Sequence, residues 1–238
     1  MEKSLLETIV DDRALHGLGG RFFGVFPAQV TSLKDPDGQG RVRVQLPWSA
    51  DPSGAQYETW ARLATMMAGN NRGSFFIPDV NDEVLVAFEA GDPRRPYVLG
   101  ALWNGSDSPP ASMDSGGQNN TKVLRSRNGV KITLDDTSGS ETFVVETPGG
   151  QKITLQDGAG TITVEDSNGN EIQTGPSGVT ITTSGNFTVQ ASQIELTASS
   201  ATVSAASTTF SGMVNGSVTV LTPAVVSSSY TPGAGNIL

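Results

Sequence analysis

Cysteine is absent from this 238-residue chain, so neither a disulfide framework nor a thiolate metal site can hold it together. Histidine occurs once, as His16. That leaves no second imidazole for a metal cluster and no base near any candidate nucleophile, and no Gly-x-Ser-x-Gly is present. Basic residues are scarce: 15 Lys and Arg stand against 24 Asp and Glu, a formal net charge of −9. A surface of that sign argues against nucleic acid as a partner. No apolar run approaches the ~18 residues that a membrane-crossing helix needs. The opening MEKSLLETIVDD sets acids on both sides of a short apolar run and lacks the basic start and small-residue cleavage site of a secretory signal. Its implication is synthesis and assembly in the cytoplasm.

What is present is turn chemistry. Glycine is 28 and proline 13, while aromatics are only 6%. This light, turn-rich composition reads as all-β. Four zones follow along the chain. In residues 1–20, Leu5, Leu6, Ile9 and Val10 make a short acidic-apolar segment ended by GLGG, compatible with a helical turn or two. Residues 21–104 read as hairpins of a small barrel. There, Asp35-Pro36-Asp37-Gly38 is a turn in which Pro36 presets φ and Gly38 accepts a positive one. After it, Val42, Val44 and Leu46 alternate with Arg41, Arg43 and Gln45, a strand with one buried face. All three Trp and most of the nine Phe lie in this zone, and the expectation is that they close its core. Residues 105–127 are a linker by composition.

Residues 128–238 form a repeat zone. NGVKITLDDTSG at 128–139 returns as GGQKITLQDGAG at 149–160. Apolar pairs then recur, including Ile132/Leu134, Phe143/Val145, Ile153/Leu155, Ile162/Val164, Val179/Ile181, Phe187/Val189, Ile194/Leu196 and Val218/Val220. Each pair spans a polar residue, so each marks a short strand with one apolar face. Strand starts fall roughly 10 residues apart early and roughly 7–8 late, a period of stacked β-coils rather than of a sandwich. So narrow a stripe must close a thin core. Either one chain coils as a β-solenoid, or three chains wrap into a triangular prism and pool their stripes. Composition leaves both open.

Candidate chemistry is weak throughout. GLGGRFFG at 17–24 lacks the third glycine and preceding strand of a dinucleotide loop. DPDGQG opens like a calcium loop, but Leu46 stands where a bidentate Glu would be needed. The carboxylate pairs Asp11/Asp12, Asp82/Glu83 and Asp135/Asp136 fall in turns or flanks. No catalytic residue, metal ligand or cofactor is expected.

Two longer phrases are specific. KDPDGQGRVRVQLPW at 34–48 and TWARLATMMAGNNRGSFFIPDVNDEVLVAFEAGDPRRPYVLGALWNG at 59–105 resemble the spike proteins of contractile tails, the phage baseplate protein V type and the valine–glycine-repeat spikes of type VI secretion. The resemblance implies an OB-fold barrel followed by an intertwined trimeric β-helix needle, with no enzymatic activity. It implies a bacterial phage tail or tail-like particle in which a homotrimer docks on a hub and pierces a target envelope, touching membrane only on firing. Type VI spikes carry a hub domain before the barrel. Here only residues 1–20 precede it, so a separate hub protein is expected to dock through Leu5, Leu6, Ile9 and Val10. No lysozyme insert fits between barrel and needle, and with no His beyond His16 a His-bearing tip is excluded. A separate tip protein of the proline–alanine–alanine–arginine (PAAR) type is then expected on Tyr230, Pro232, Gly233, Gly235, Ile237 and Leu238. The needle interior is expected to hold Ile153, Leu155, Ile162, Val164, Ile181, Val189, Ile194 and Leu196. The competing reading is a glycan-binding β-solenoid fibre or adhesin, which would need aromatic and acidic residues on the coil exterior.

Overall fold

The computed structural model describes residues 21–50 and 53–215. Two bodies of β-structure follow one another. In the first, β1 (Val25–Ser32), β2 (Val42–Ala50) and β3 (Gln56–Leu63) form an antiparallel meander. A small hairpin, β4 (Ala68–Gly69) and β5 (Arg72–Gly73), precedes β6 (Glu83–Phe88) and β7 (Pro96–Leu102). β6 returns along β1, and a parallel pairing of β3 with β7, Leu63 opposite Val98, closes the barrel in the order β1-β2-β3-β7-β6. Five short strands closed this way form an OB-type barrel.

The interior follows from alternation. Val42, Val44 and Leu46 are fully buried, as are Val84 and Val86 on β6. Between them Arg43 faces outward and pairs with Glu58 at 2.8 Å. A cluster of Phe22, Phe26, Trp48 and Phe88 adjoins this aliphatic core, with Phe26 stacked on Trp48 at 4.7 Å. Trp48 Nε1–H donates to the Pro27 carbonyl at 2.9 Å. The expectation that the zone's aromatics close the core is corrected for the rest: Phe23, Phe75, Phe76 and Trp103 are exposed. A barrel of five short strands has room for Val, Ala and Leu inside and for few rings.

The second body is a seven-stranded sheet: β8 (Thr121–Arg125), β9 (Lys131–Asp135), β10 (Thr142–Glu146), β11 (Lys152–Gln156), β12 (Thr161–Glu165), β13 (Glu171–Gly175) and β14 (Gly178–Thr182). Its spatial order is its chain order, and every pairing is antiparallel. This corrects two expectations and decides against one of the two alternatives left open. β8 lies inside the stretch 105–127 read as linker; Val123 and Leu124 are adjacent, so the strand shows no alternation. The described chain does not coil as a solenoid, since a meander stacks hairpins rather than turns of a helix. Residues 183–215 contain no strand, so Phe187/Val189 and Ile194/Leu196 lie in chain without an in-chain ladder. Val218/Val220 lie outside the described residues.

The recurring phrase now has a cause. Gly150 N–H donates to the Thr147 carbonyl and Gly160 N–H to that of Asp157, at 3.0 and 2.9 Å. Both glycines have positive φ, +87° and +60°. That is the tight hairpin connection in which a left-handed residue matches the twist of the flanking strands. Each strand-and-turn unit is written with similar residues because each hairpin is built the same way.

Candidate assembly interface

The register of the sheet aligns its apolar pairs. Leu124, Ile132, Val145, Ile153, Val164, Ile172 and Ile181 stand opposite one another in succession across all seven strands. A second column runs Leu134, Phe143, Leu155, Ile162, then Thr174 and Val179. Period-two alternation puts both columns on one face. Nothing among the described residues covers that face: Ile153, Leu155, Ile162, Val164, Ile172 and Ile181 are all exposed, Ile153 at 42%. A contiguous apolar surface of this kind marks an association site.

The opposite face is polar and internally paired. Its central column is Thr133, Val144, Thr154, Thr163, Gln173 and Thr180. Along one margin Lys131, Glu146, Lys152 and Glu165 alternate in sign across four strands. Lys131 Nζ reaches Glu146 at 2.6 Å and Lys152 Nζ reaches Glu165 at 3.0 Å. The hydrogen bond and charge of Lys131 hold the Glu146 carboxyl below its ordinary pKa, helped by Lys152 and Arg125. Lys122 is different: it stands opposite Leu134, on the apolar side, where it pairs with Asp136 at the β8–β9 end of the second column. Phe143, the sole aromatic of the sheet, lies on the apolar face, so the polar face offers no ring on which a sugar could stack.

Five of the expected interior residues, Ile153, Leu155, Ile162, Val164 and Ile181, share the apolar face. Val189, Ile194 and Leu196 lie in the strandless segment and are exposed. Leu134, Phe143, Val145 and Ile172 join the face; their alternation with polar neighbours is the signal that finds them. The expected hub-binding residues Leu5, Leu6, Ile9 and Val10, and the tip-binding Tyr230, Pro232, Gly233, Gly235, Ile237 and Leu238, lie outside the described residues, as does His16. Asp35, first in the calcium-like run, has its oxygens occupied. They accept from the Arg41 guanidinium at 2.6 Å and from the N–H groups of Asp37, Gln39 and Arg41. Among the described residues no group of three or more His, Asp or Glu could hold a metal ion.

Two family models match. Residues 26–103 match the type VI secretion system/phage-baseplate injector OB domain. Residues 142–215 match the phage baseplate V C-terminal trimerisation domain, from β10 into the strandless segment. The chain belongs to the baseplate V and VgrG spike family. Similar proteins include the type VI secretion system spike protein VgrG1c of Pseudomonas aeruginosa, 34% identical over 112 residues. VgrG3 of Vibrio cholerae is 33% identical over 112 residues. The actin cross-linking toxin VgrG1 of the same species is 30% identical. Each match covers 44% of this chain but only 15%, 11% and 10% of the respective relative. Within this family the uncovered apolar face falls largely in the part matched as a trimerisation domain.

Proposed function

We propose that three copies of this chain form the central spike of a phage-tail baseplate or related contractile injection system. The observation that carries this reading is the two-column apolar face, exposed on a single chain along the whole seven-stranded sheet. Three such faces turned inward make a closed prism whose core is dry and whose outer surface carries the paired charges. Each Val, Leu or Ile fully buried there contributes roughly 1.5–3 kcal/mol. The role is mechanical: sheath contraction drives the trimer through a target envelope, and the spike itself performs no chemistry. The absence of charged residues from Leu196 to Leu238 fits this role, since each charge carried into a membrane is costly. Assembly takes place in the bacterial cytoplasm. The hub protein docks on residues 1–20 through Leu5, Leu6, Ile9 and Val10, and a PAAR-type tip protein docks on residues 230–238. Native mass spectrometry of the purified chain tests the reading: a species of three times the chain mass at micromolar concentration is expected, and a monomer alone would end it.

A further inference from the structure

One built feature of the barrel has no role in the barrel itself. Between β3 and β6 the chain runs through the β4–β5 hairpin. Ser74 N–H donates to the Met67 carbonyl at 2.9 Å, the Thr65 hydroxyl donates to the Ser74 carbonyl at 2.8 Å, and Met67 N–H donates to Ser74 Oγ at 3.3 Å. Gly73 has φ +151°, and a Cβ there would sit 2.5 Å from the Met67 carbonyl oxygen. The loop is thus tightly tied, yet it holds four large apolar side chains in solvent. Met66 is 92% exposed, Phe75 81%, Phe76 74% and Met67 51%. Leu63, Met67, Phe75, Phe76 and Ile77 line a cleft of about 510 Å³ beside them. Rigid, clustered and uncovered aromatics are the composition of an interface centre.

We propose that this Met–Phe tip packs against a second copy of the chain, so that the barrels, as well as the needle, are joined in the trimer. This rests on the trimeric reading given above. Continuity identifies the occupant. Just past the tip, Asp79 accepts from Arg127 Nη1 at 2.9 Å. Arg127 lies in the turn between β8 and β9, where the apolar face begins at exposed Leu124. Asp79, two residues beyond cleft-lining Ile77, is thus tied to the turn that follows Leu124, where the face proposed to meet the other copies begins. Charge agrees: residues 64–77 contain Arg72 and no acid, whereas the whole chain carries −9. A like-charged copy is thus not repelled at this patch.

The cysteine-free sequence permits a direct test on the full chain. Phe76→Cys and, as a second reporter, Met66→Cys are compared with Ser138→Cys, which lies in an exposed turn of the sheet. Labelling by a small maleimide is timed on the purified trimer. Burial in an interface should slow residues 76 and 66 about tenfold or more relative to 138. Equal rates in a verified trimer overturn this inference alone. A monomeric wild-type chain overturns it together with the trimeric reading.

Discussion

Asp35 shows how much one side chain organises. Its side chain is 5% exposed, and one carboxylate serves both the turn and the strand that leaves it. The Arg41 hydrogen bond, with backbone N–H groups of Asp37, Arg41 and Gln39, holds its pKa well below the usual carboxylate range. A depressed folded-state pKa contributes stability that is present above the unfolded value of about 4 and is lost as pH falls toward the folded one. Asp35→Asn should therefore lower the melting temperature at neutral pH by several degrees. Asp37→Asn, at an exposed carboxylate paired with the same arginine, should cost much less. The gap between wild type and Asp35→Asn should narrow steadily below about pH 4 in thermal melts. A gap unchanged from pH 7 to pH 2 would count against this account. Asp166, pushed down to about 2 by the Asn170 side chain and the Asn170 and Asn168 N–H groups, adds an acid-sensitive turn between β12 and β13. The turn at Asp35 was legible in DPDG. The partnership with Arg41 was not, because nothing in the spacing tells a paired arginine from a solvated one on an alternating strand.

The strand register of the sheet makes neighbouring residues unequal. Ile153 lies between Val145 and Val164 on the apolar face, whereas Thr154 lies between Val144 and Thr163 on the other. Ile153→Asp should bring three carboxylates toward one axis and cost several kcal/mol per trimer through desolvation and repulsion. Thr154→Asp, flanked on its own strand by Lys152, should leave the melting temperature almost unchanged. Equal losses in the two variants would show that the assembled core uses a different face. The margin of alternating charge gives a second test. Glu146→Lys would set three lysines opposite one another on β9, β10 and β11. Like charges directly across a ladder repel by a few tenths to about 1 kcal/mol, and salt screens them. The variant should be less stable in dilute buffer and recover toward wild type in high salt; a salt-independent loss would point to packing instead. Alternation made these strands legible and separated inside from outside. It did not give direction or partner, since a period of two is the same in a coil and in a meander. The deciding signal was in the loops, where a glycine closes each short turn, and it was read as a corner rather than a hairpin.

At the scale of the molecule, the described chain divides by where its hydrogen bonds go. From Thr121 to Thr182 each strand finds its ladder within the chain. From Asn186 to Asn215 the described residues hold no hydrogen bond at all, although Phe187/Val189 and Ile194/Leu196 continue the strand pattern. These residues are exposed, so water takes their backbone groups, and about thirty residues with neither a ladder nor a core have nothing to offset the entropy of standing as a rigid needle alone. The trimerisation-domain match spans both regimes, from residue 142 to residue 215. On the trimeric reading the other two copies supply the missing partners, which would account for strand patterning that one chain does not realise. Hydrogen exchange followed by mass spectrometry separates the regimes. In the trimer, amides of 186–215 should be protected. In an Ile153→Asp variant shown to be monomeric, they should exchange at the rate of an unstructured chain, while barrel strands β1, β2 and β6 keep their protection. The barrel survives because its core of Val30, Val42, Val44, Val84 and Val86 is complete within one chain. Rapid exchange across 186–215 in a verified trimer would mean that the copies do not pair there, leaving the seven-stranded sheets to hold the assembly by side chains alone.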